Sequence, residues 1–303
     1  MTSATQRPIG VFDSGIGGLS VLRALRAELP NERFVYLADS GHAPYGERGD
    51  AYVAARTHAI AGYLQAAHDI KALVVACNTA TAAAIHEVRS RYPALPLVGL
   101  EPAIKPSVAL TRTGHIGVIG TRGTLGSSKF GRLMTSLQGQ AHFVVQPCDG
   151  LAYAIERTTD HGPAAVQAAT ETEALCARYI GAMGAFGAQA GQIDTLVLGC
   201  THYIFAEHVL RSLVGPHVQL VETGVPVAVQ TRRLLDSAGL LAEVGREDAA
   251  AAGETAIRLL STGDLGPLRA AAHRWLNLPA SDCAAVAVPS AIDLSAQNTA
   301  VAP

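Results

Sequence analysis

The sequence is poor in aromatic residues, holds a single tryptophan, and has only 16% charged residues. No apolar run approaches the roughly 18 residues of a membrane-spanning helix, so no transmembrane segment is expected. Neither sign of charge dominates: 23 basic residues face 25 acidic ones, for a formal net charge of −2. Without a basic block, the chain shows no electrostatic footprint for nucleic acid and none for a membrane surface. The opening "MTSATQRPIG" contains no apolar segment long enough for a signal peptide. A soluble, cytoplasmic protein is therefore expected. C-x-x-C, H-E-x-x-H and Walker A patterns are all missing, which argues against a metal site and against a P-loop. Cys77, Cys148, Cys176, Cys200 and Cys283 form an odd, scattered set. Free thiols in a reducing compartment fit that set better than a disulfide framework does.

What the chain does have is apolar content, 49% of 303 residues, enough for a large core in two domains or one large one. Short apolar runs alternate with helical stretches. "PIGVFD", "RFVYLAD", "IKALVVAC" and "LPLVGL" read as strands, and the pattern restarts near Lys105 with "HIGVIGT", "HFVVQ", "DTLVLGC" and "HVQLV". Helices are expected over about 124–137 and about 164–186. "TAIRLLSTG" reads as a further strand and "LGPLRAAAHRWL" as a short amphipathic helix. Beyond Pro279 the chain is rich in Ala, Ser and Pro without a period, so residues 280–303 read as a disordered tail. The alternation predicts an α/β fold of two similar halves with mainly parallel sheets.

Ligands of such sheets bind beyond the C-terminal ends of strands, where polar groups cluster: Asp13-Ser14, Asp39-Ser40, Cys77-Asn78-Thr79, Thr121 and Cys200-Thr201-His202. "LVVACNT" and "LVLGCTH" match one another, one in each half. If the halves face each other, two thiols face one cleft. Two opposed thiols suit inversion of a hydrogen-bearing stereocentre, one thiolate removing the proton and the other thiol returning one. A helix N-terminus after Cys77 is expected to favour its thiolate, and His202 is placed to assist Cys200. Most free cysteines are small buried hydrophobes, and Cys148 and Cys176 are read that way; Cys283, in the tail, is read as incidental. The glycines of "DSGIGGLS" suggest an anion site of backbone N–H groups, although Asp13 there would repel phosphate. A helix cap is the simpler role for Asp13.

The segments "VFDSGIGGLSVL", "YLADSGHAPYGER", "ACNTAT", "LEPAIKP", "GVIGTRGTL" and "LGCTHY" resemble, in order, the motif set of the glutamate racemases, within the cofactor-independent aspartate/glutamate racemase group. The resemblance runs from about Pro8 to Leu276. It implies interconversion of L- and D-glutamate by a two-base mechanism without pyridoxal phosphate or other cofactor, supplying D-glutamate for peptidoglycan. It implies that Cys77 and Cys200 are the acid/bases and that Asp13, His202 and Glu156 assist them. It further implies substrate contacts from Ser14, Pro44, Tyr45, Gly46, Asn78, Thr79, Thr121 and Thr201, an active site between two domains, and a homodimer. The implied domains are 1–104 with 218–279, and 105–217. Three positions depart from the usual pattern: Ile204 for Pro, Ala38 for Gly and Glu222 for Asp. Other readings are a related racemase of aspartate, a hydantoin or another small acid, a one-cysteine decarboxylase, a dicarboxylate-binding protein, and a thiol hydrolase. The last three leave at least one of the two matched thiols without a task.

Overall fold

A computed structural model describes residues 3–159, 162–242 and 256–289. From the N-terminal side, β1 (Ile9–Asp13), α1 (Leu19–Glu28), β2 (Phe34–Ala38), α2 (Asp50–His68), β3 (Ala72–Val75), α3 (Asn78–Arg91) and β4 (Leu97–Gly99) alternate. Then come α4 (Ile104–Leu110), β5 (His115–Gly120), α5 (Arg122–Leu125), α6 (Ser128–Ser136), β6 (His142–Pro147), α7 (Leu151–Arg157), α8 (Pro163–Gly181), β7 (Thr195–Gly199), α9 (Glu207–Val214) and β8 (Gln219–Val221). The remaining described elements are α10 (Gly224–Ser237), β9 (Ile257–Ser261), α11 (Leu265–Leu276) and β10 (Cys283–Ala285).

These strands form two parallel sheets, ordered β10-β9-β2-β1-β3-β4 and β6-β5-β7-β8. Each central strand is apolar because helices cover both its faces. In the first sheet one face packs on α1, α10 and α11, and the other on α2 and α3. Leu19, Leu22 and Leu25 of α1 have no exposure, and burying each stabilises the fold by about 2 kcal/mol. The chain leaves α1 at Leu29, where Pro30 prevents continuation.

The order of connection places the ligand site. From β1 the chain moves to β2 on one side and then to β3 on the other, so direction reverses between β1 and β3. The second sheet repeats this at β5 and β7, with β6 on the far side. Crevices open beyond the strand ends at such reversals. Cys77 follows β3 and Cys200 follows β7, each just past a reversal point.

Several expectations change. Residues 280–289, read as part of a disordered tail, include β10, which pairs with β9 from Cys283↔Leu259 to Ala285↔Ser261; residues 290–303 lie outside the described residues. The second sheet extends past residue 217, because β8 pairs with β7, and the chain returns to the first unit only with α10. The helix expected over 124–137 is two helices, divided at Gly126 and Ser127, where the Ser127 hydroxyl accepts from the Phe130 N–H and starts α6 afresh. The helix expected to reach residue 186 ends at Gly181. Gly184 and Gly187 take positive φ beyond it, and Phe186 bridges to Ile193 instead. Among the described residues, no helix is long and apolar enough to cross a membrane.

Candidate active site

The strand ends of both sheets open onto one cleft. Its walls contain every catalytic and substrate-contact residue that the resemblance implies: Cys77, Cys200, Asp13, His202, Glu156, Ser14, Pro44, Tyr45, Gly46, Asn78, Thr79, Thr121 and Thr201. Of the polar strand ends, Asp39 and Ser40 are not part of those walls.

On the first wall, Cys77 caps α3. Its Sγ accepts from the Ala80 N–H at 3.5 Å and lies 3.9 Å from the Ser14 hydroxyl. The expected help from the helix terminus is present but outweighed. Burial, and then the charge of Asp13, push the Cys77 thiol well above its ordinary range. Asp13 is fully buried. Its carboxylate accepts from the Ser14 N–H at 2.7 Å, from the Gly18 N–H, and from the Thr201 hydroxyl at 3.2 Å. Burial raises its pKa, against the opposing pull of His202 and the Ser14 N–H.

On the second wall, Cys200 Sγ lies 3.7 Å from Nδ1 of His202, whose Nε2 lies 2.6 Å from the Glu156 carboxylate. Burial acts to lower the His202 pKa, but its bonds to Cys200 and Glu156 win and hold it well above the usual histidine range. Both ring nitrogens thus have a partner, and the pair with Glu156 favours the protonated imidazole. Glu156 also accepts the Ile16 N–H at 3.0 Å.

That last bond revises the reading of "SGIGG". Its N–H groups do form an anion nest, but the anions are carboxylates of the protein: Ile16 serves Glu156, while Ser14 and Gly18 serve Asp13. Asp13 thus closes the turn before α1, and Gly18, not Asp13, stands at the helix cap. Two glycines permit the contact. A Cβ on Gly15 would sit 2.4 Å from a Glu156 oxygen, and one on Gly17 2.3 Å from His202 Nδ1.

A second junction joins the walls through hydroxyls. Thr79 Oγ1 lies 3.0 Å from Thr121 Oγ1 and 3.3 Å from Thr124 Oγ1. Thr124 was not anticipated, although "TRGT" carries its signal: Thr121 caps α5 by accepting the Thr124 N–H. Arg122, Asp149 and Tyr153 also line the cleft without having been singled out. Both amide atoms of buried Asn78 lack a protein partner among the described residues. Leaving a buried amide unmatched costs about 1–3 kcal/mol, which suits a group that serves a bound molecule. Among the described residues, no group of three or more His, Cys, Asp and Glu side chains could hold a metal ion. Of the other cysteines, Cys148 borders the cleft and Cys176 lies in α8, and burial pushes each thiol up to about 12.

Ile204, at one of the departures from the usual pattern, lies in a short 3-10 turn, Tyr203–Ala206, directly after His202. The imidazole is fixed from both of its nitrogens regardless.

The model of the Asp/Glu/Hydantoin racemase family matches residues 9–231. The chain belongs to that family. A glutamate racemase of Ectopseudomonas mendocina is 46% identical over 88% of this racemase and 93% of its own length. Among solved structures, the glutamate racemase isoform RacE1 from Bacillus anthracis is 28% identical with a TM-score of 0.77, covering 94% of this chain and 99% of that one. Escherichia coli glutamate racemase, solved with L-glutamate and the activator UDP-MurNAc-ala, is 26% identical with a TM-score of 0.74, covering 94% and 100%. With this family and these relatives, the protein is an amino-acid racemase, an isomerase.

Proposed function

We propose that this racemase interconverts L- and D-glutamate by two-base proton transfer at Cα, and that its D-glutamate feeds peptidoglycan synthesis. One observation carries the mechanism: two thiols, delivered by two separate sheets, border one cleft, and each has its own polar neighbour, Ser14 for Cys77 and His202 for Cys200. In one direction the Cys77 thiolate takes the Cα proton, leaving a planar carbanion, and the Cys200 thiol protonates the opposite face. The enzyme then holds a Cys77 thiol and a Cys200 thiolate, the state that runs the reverse reaction. Asp13 adjusts Cys77. His202, oriented by Glu156, stabilises the Cys200 thiolate.

The substrate assignment draws on the relatives, which are glutamate racemases, one of them solved with L-glutamate. The unmatched amide of Asn78 and the hydroxyls of Ser14, Thr79, Thr121 and Thr201 offer donors to two carboxylates. Such donors also stabilise the enediolate-like charge of the carbanion. The backbone of residues 44–46 borders the same space. A cytoplasmic homodimer completes the proposal.

The family also embraces aspartate and hydantoin racemases by its description, so substrate choice needs its own test. Purified protein without added cofactor should abolish the optical rotation of D-glutamate and leave that of D-aspartate nearly unchanged. The reverse preference, or no loss of rotation with either, contradicts the assignment.

A further inference from the structure

Behind the cleft, one buried carboxylate gathers side chains from separate parts of the chain. Asp39, just past β2, has no exposure. Its Oδ2 accepts from Tyr45 Oη at 2.6 Å and Arg56 Nε at 3.0 Å. Its Oδ1 accepts from Arg56 Nη2 and from Thr262 Oγ1, each at 2.8 Å, and lies 3.0 Å from His42 Nδ1. An ion pair is tolerated at this depth only when its remaining lone pairs are matched, and here they are. The forked Arg56–Asp39 bond fixes both planes.

The cluster has two outlets. Tyr45 and its neighbour Gly46 form part of the cleft wall, and the Gly46 carbonyl accepts from the Gly123 N–H of the second unit at 3.2 Å. In the other direction, the third guanidinium nitrogen of Arg56 donates to the Val288 carbonyl at 3.4 Å. Val288 is buried in the same apolar cluster as Tyr45, Val53 and Leu260. Before it, the Val286 N–H donates to the Ser261 carbonyl at 2.9 Å and continues the pairing begun by β10. The segment after Asp282 therefore reaches the cleft wall through Val288, Arg56, Asp39 and Tyr45.

We propose that residues 283–289 form a strap that fixes the substrate-binding loop, with Arg56 as the positioning residue that transmits its hold. This rests on the reading of residues 44–46 as substrate contacts. The strap places Val288 in the apolar cluster that also holds Tyr45, and it occupies the one guanidinium nitrogen that Asp39 leaves over. Arg56 can then hold only the rotamer that orients Asp39 toward the tyrosine hydroxyl. A lysine carries its donors on a single nitrogen with no planar fork, so it cannot reproduce the two bonds to Asp39 together with the bond to the Val288 carbonyl.

The test compares five proteins with wild type: a chain ending at Pro289, a chain ending at Asp282, Arg56→Lys, the chain ending at Asp282 that also carries Arg56→Lys, and Gly46→Ala, whose added Cβ would meet Thr121 at 2.9 Å. For each, kcat and KM for D-glutamate are measured together with the thermal unfolding midpoint. The chain ending at Pro289 keeps wild-type constants. The chain ending at Asp282 and Arg56→Lys each raise KM about tenfold, as expected for one lost hydrogen bond to a charged group, with a much smaller change in kcat. Combined, the two changes raise KM little beyond either alone, because both cut the same link. A wild-type KM in both, or fully additive effects, overturns the strap. If the chain ending at Asp282 fails to fold, a wild-type KM for Arg56→Lys overturns the proposal alone. A raised KM for Gly46→Ala beside unchanged strap variants removes the strap and leaves the loop reading standing. An unchanged KM in all of them removes both.

Discussion

Cys77→Ala and Cys200→Ala should each lower racemisation in both directions by about a thousandfold, within the range that one positioned acid or base contributes. In the proposed cycle each thiol is the base for one enantiomer and the acid for the other, so neither variant can complete a turnover from either side. The loss should not come from unfolding. Both side chains are buried at the rim of the apolar core, and removing one sulfur costs about 1 kcal/mol, an ordinary penalty for a point change. Cys176→Ala provides the control: that thiol lies in α8, away from the cleft, and its removal should leave turnover unchanged. The pH dependence adds a signature specific to Cys77. Burial and Asp13 raise its pKa well above the thiol range, so the thiolate is a minor species at neutral pH and grows as pH rises. For the enantiomer whose proton Cys77 removes, kcat/KM should climb with pH above neutrality. Turnover near wild type in either alanine variant, measured by circular dichroism of glutamate, would remove that thiol from the mechanism.

Gly17→Ala should cost about a hundredfold in kcat/KM, although the substitution touches neither thiol. Gly17 has no positive φ, so alanine's backbone fits there. The obstacle is space. The new methyl would lie 2.3 Å from His202 Nδ1 and 2.6 Å from Thr201 Oγ1, and neither is the free end of a flexible chain. His202 is held at Nε2 by Glu156, which the neighbouring Ile16 N–H holds in turn. To admit the methyl, the "SGIGG" turn and the Cys200–His202 segment must separate, moving Cys200 relative to Cys77. A displacement near 1 Å in such a site costs about 10²-fold. The expected pattern is a large fall in kcat with a folded protein, seen as a thermal midpoint close to wild type. Wild-type kinetics would show that the two walls can part without harm.

These two predictions depend on different amounts of information in the sequence. The apolar runs before Cys77 and Cys200, and the matching polar residues after them, announce two strand ends. Alternation along the chain makes the sheets parallel. What pattern alone leaves open is which groups the close approach of two units would use up. The N–H groups of "SGIGG" read as a site for an outside anion, because nothing local indicates that Glu156, on α7, comes to occupy them. Likewise Asp39 reads as one more strand-end ligand residue, yet Arg56 from the next helix claims its carboxylate. β10 escapes notice for another reason. Its sequence "CAA" has neither bulk nor alternation, and its strand state comes from the exposed edge of β9. The long helix expected to reach residue 186 reflects an apolar, alanine-rich run in which three glycines, at 181, 184 and 187, decide the end. Thr124 is a different case: the signal was present as a cap spacing within "TRGT" but pointed to local structure, not to a contact with Thr79 across the cleft.

The proposed exchange of one proton for another on opposite faces is tested most directly by the fate of deuterium at low conversion. Wild-type protein is incubated with protiated D-glutamate in D₂O, the reaction is stopped early, and both enantiomers are separated and analysed by mass. Two opposed thiols, one receiving the substrate proton and the other supplying a solvent-derived deuteron, predict that nearly every L-glutamate molecule formed carries deuterium at Cα while the recovered D-glutamate stays protiated. A single base serving both faces would place deuterium in both enantiomers alike, or return the original proton to the product, and either result would contradict the account.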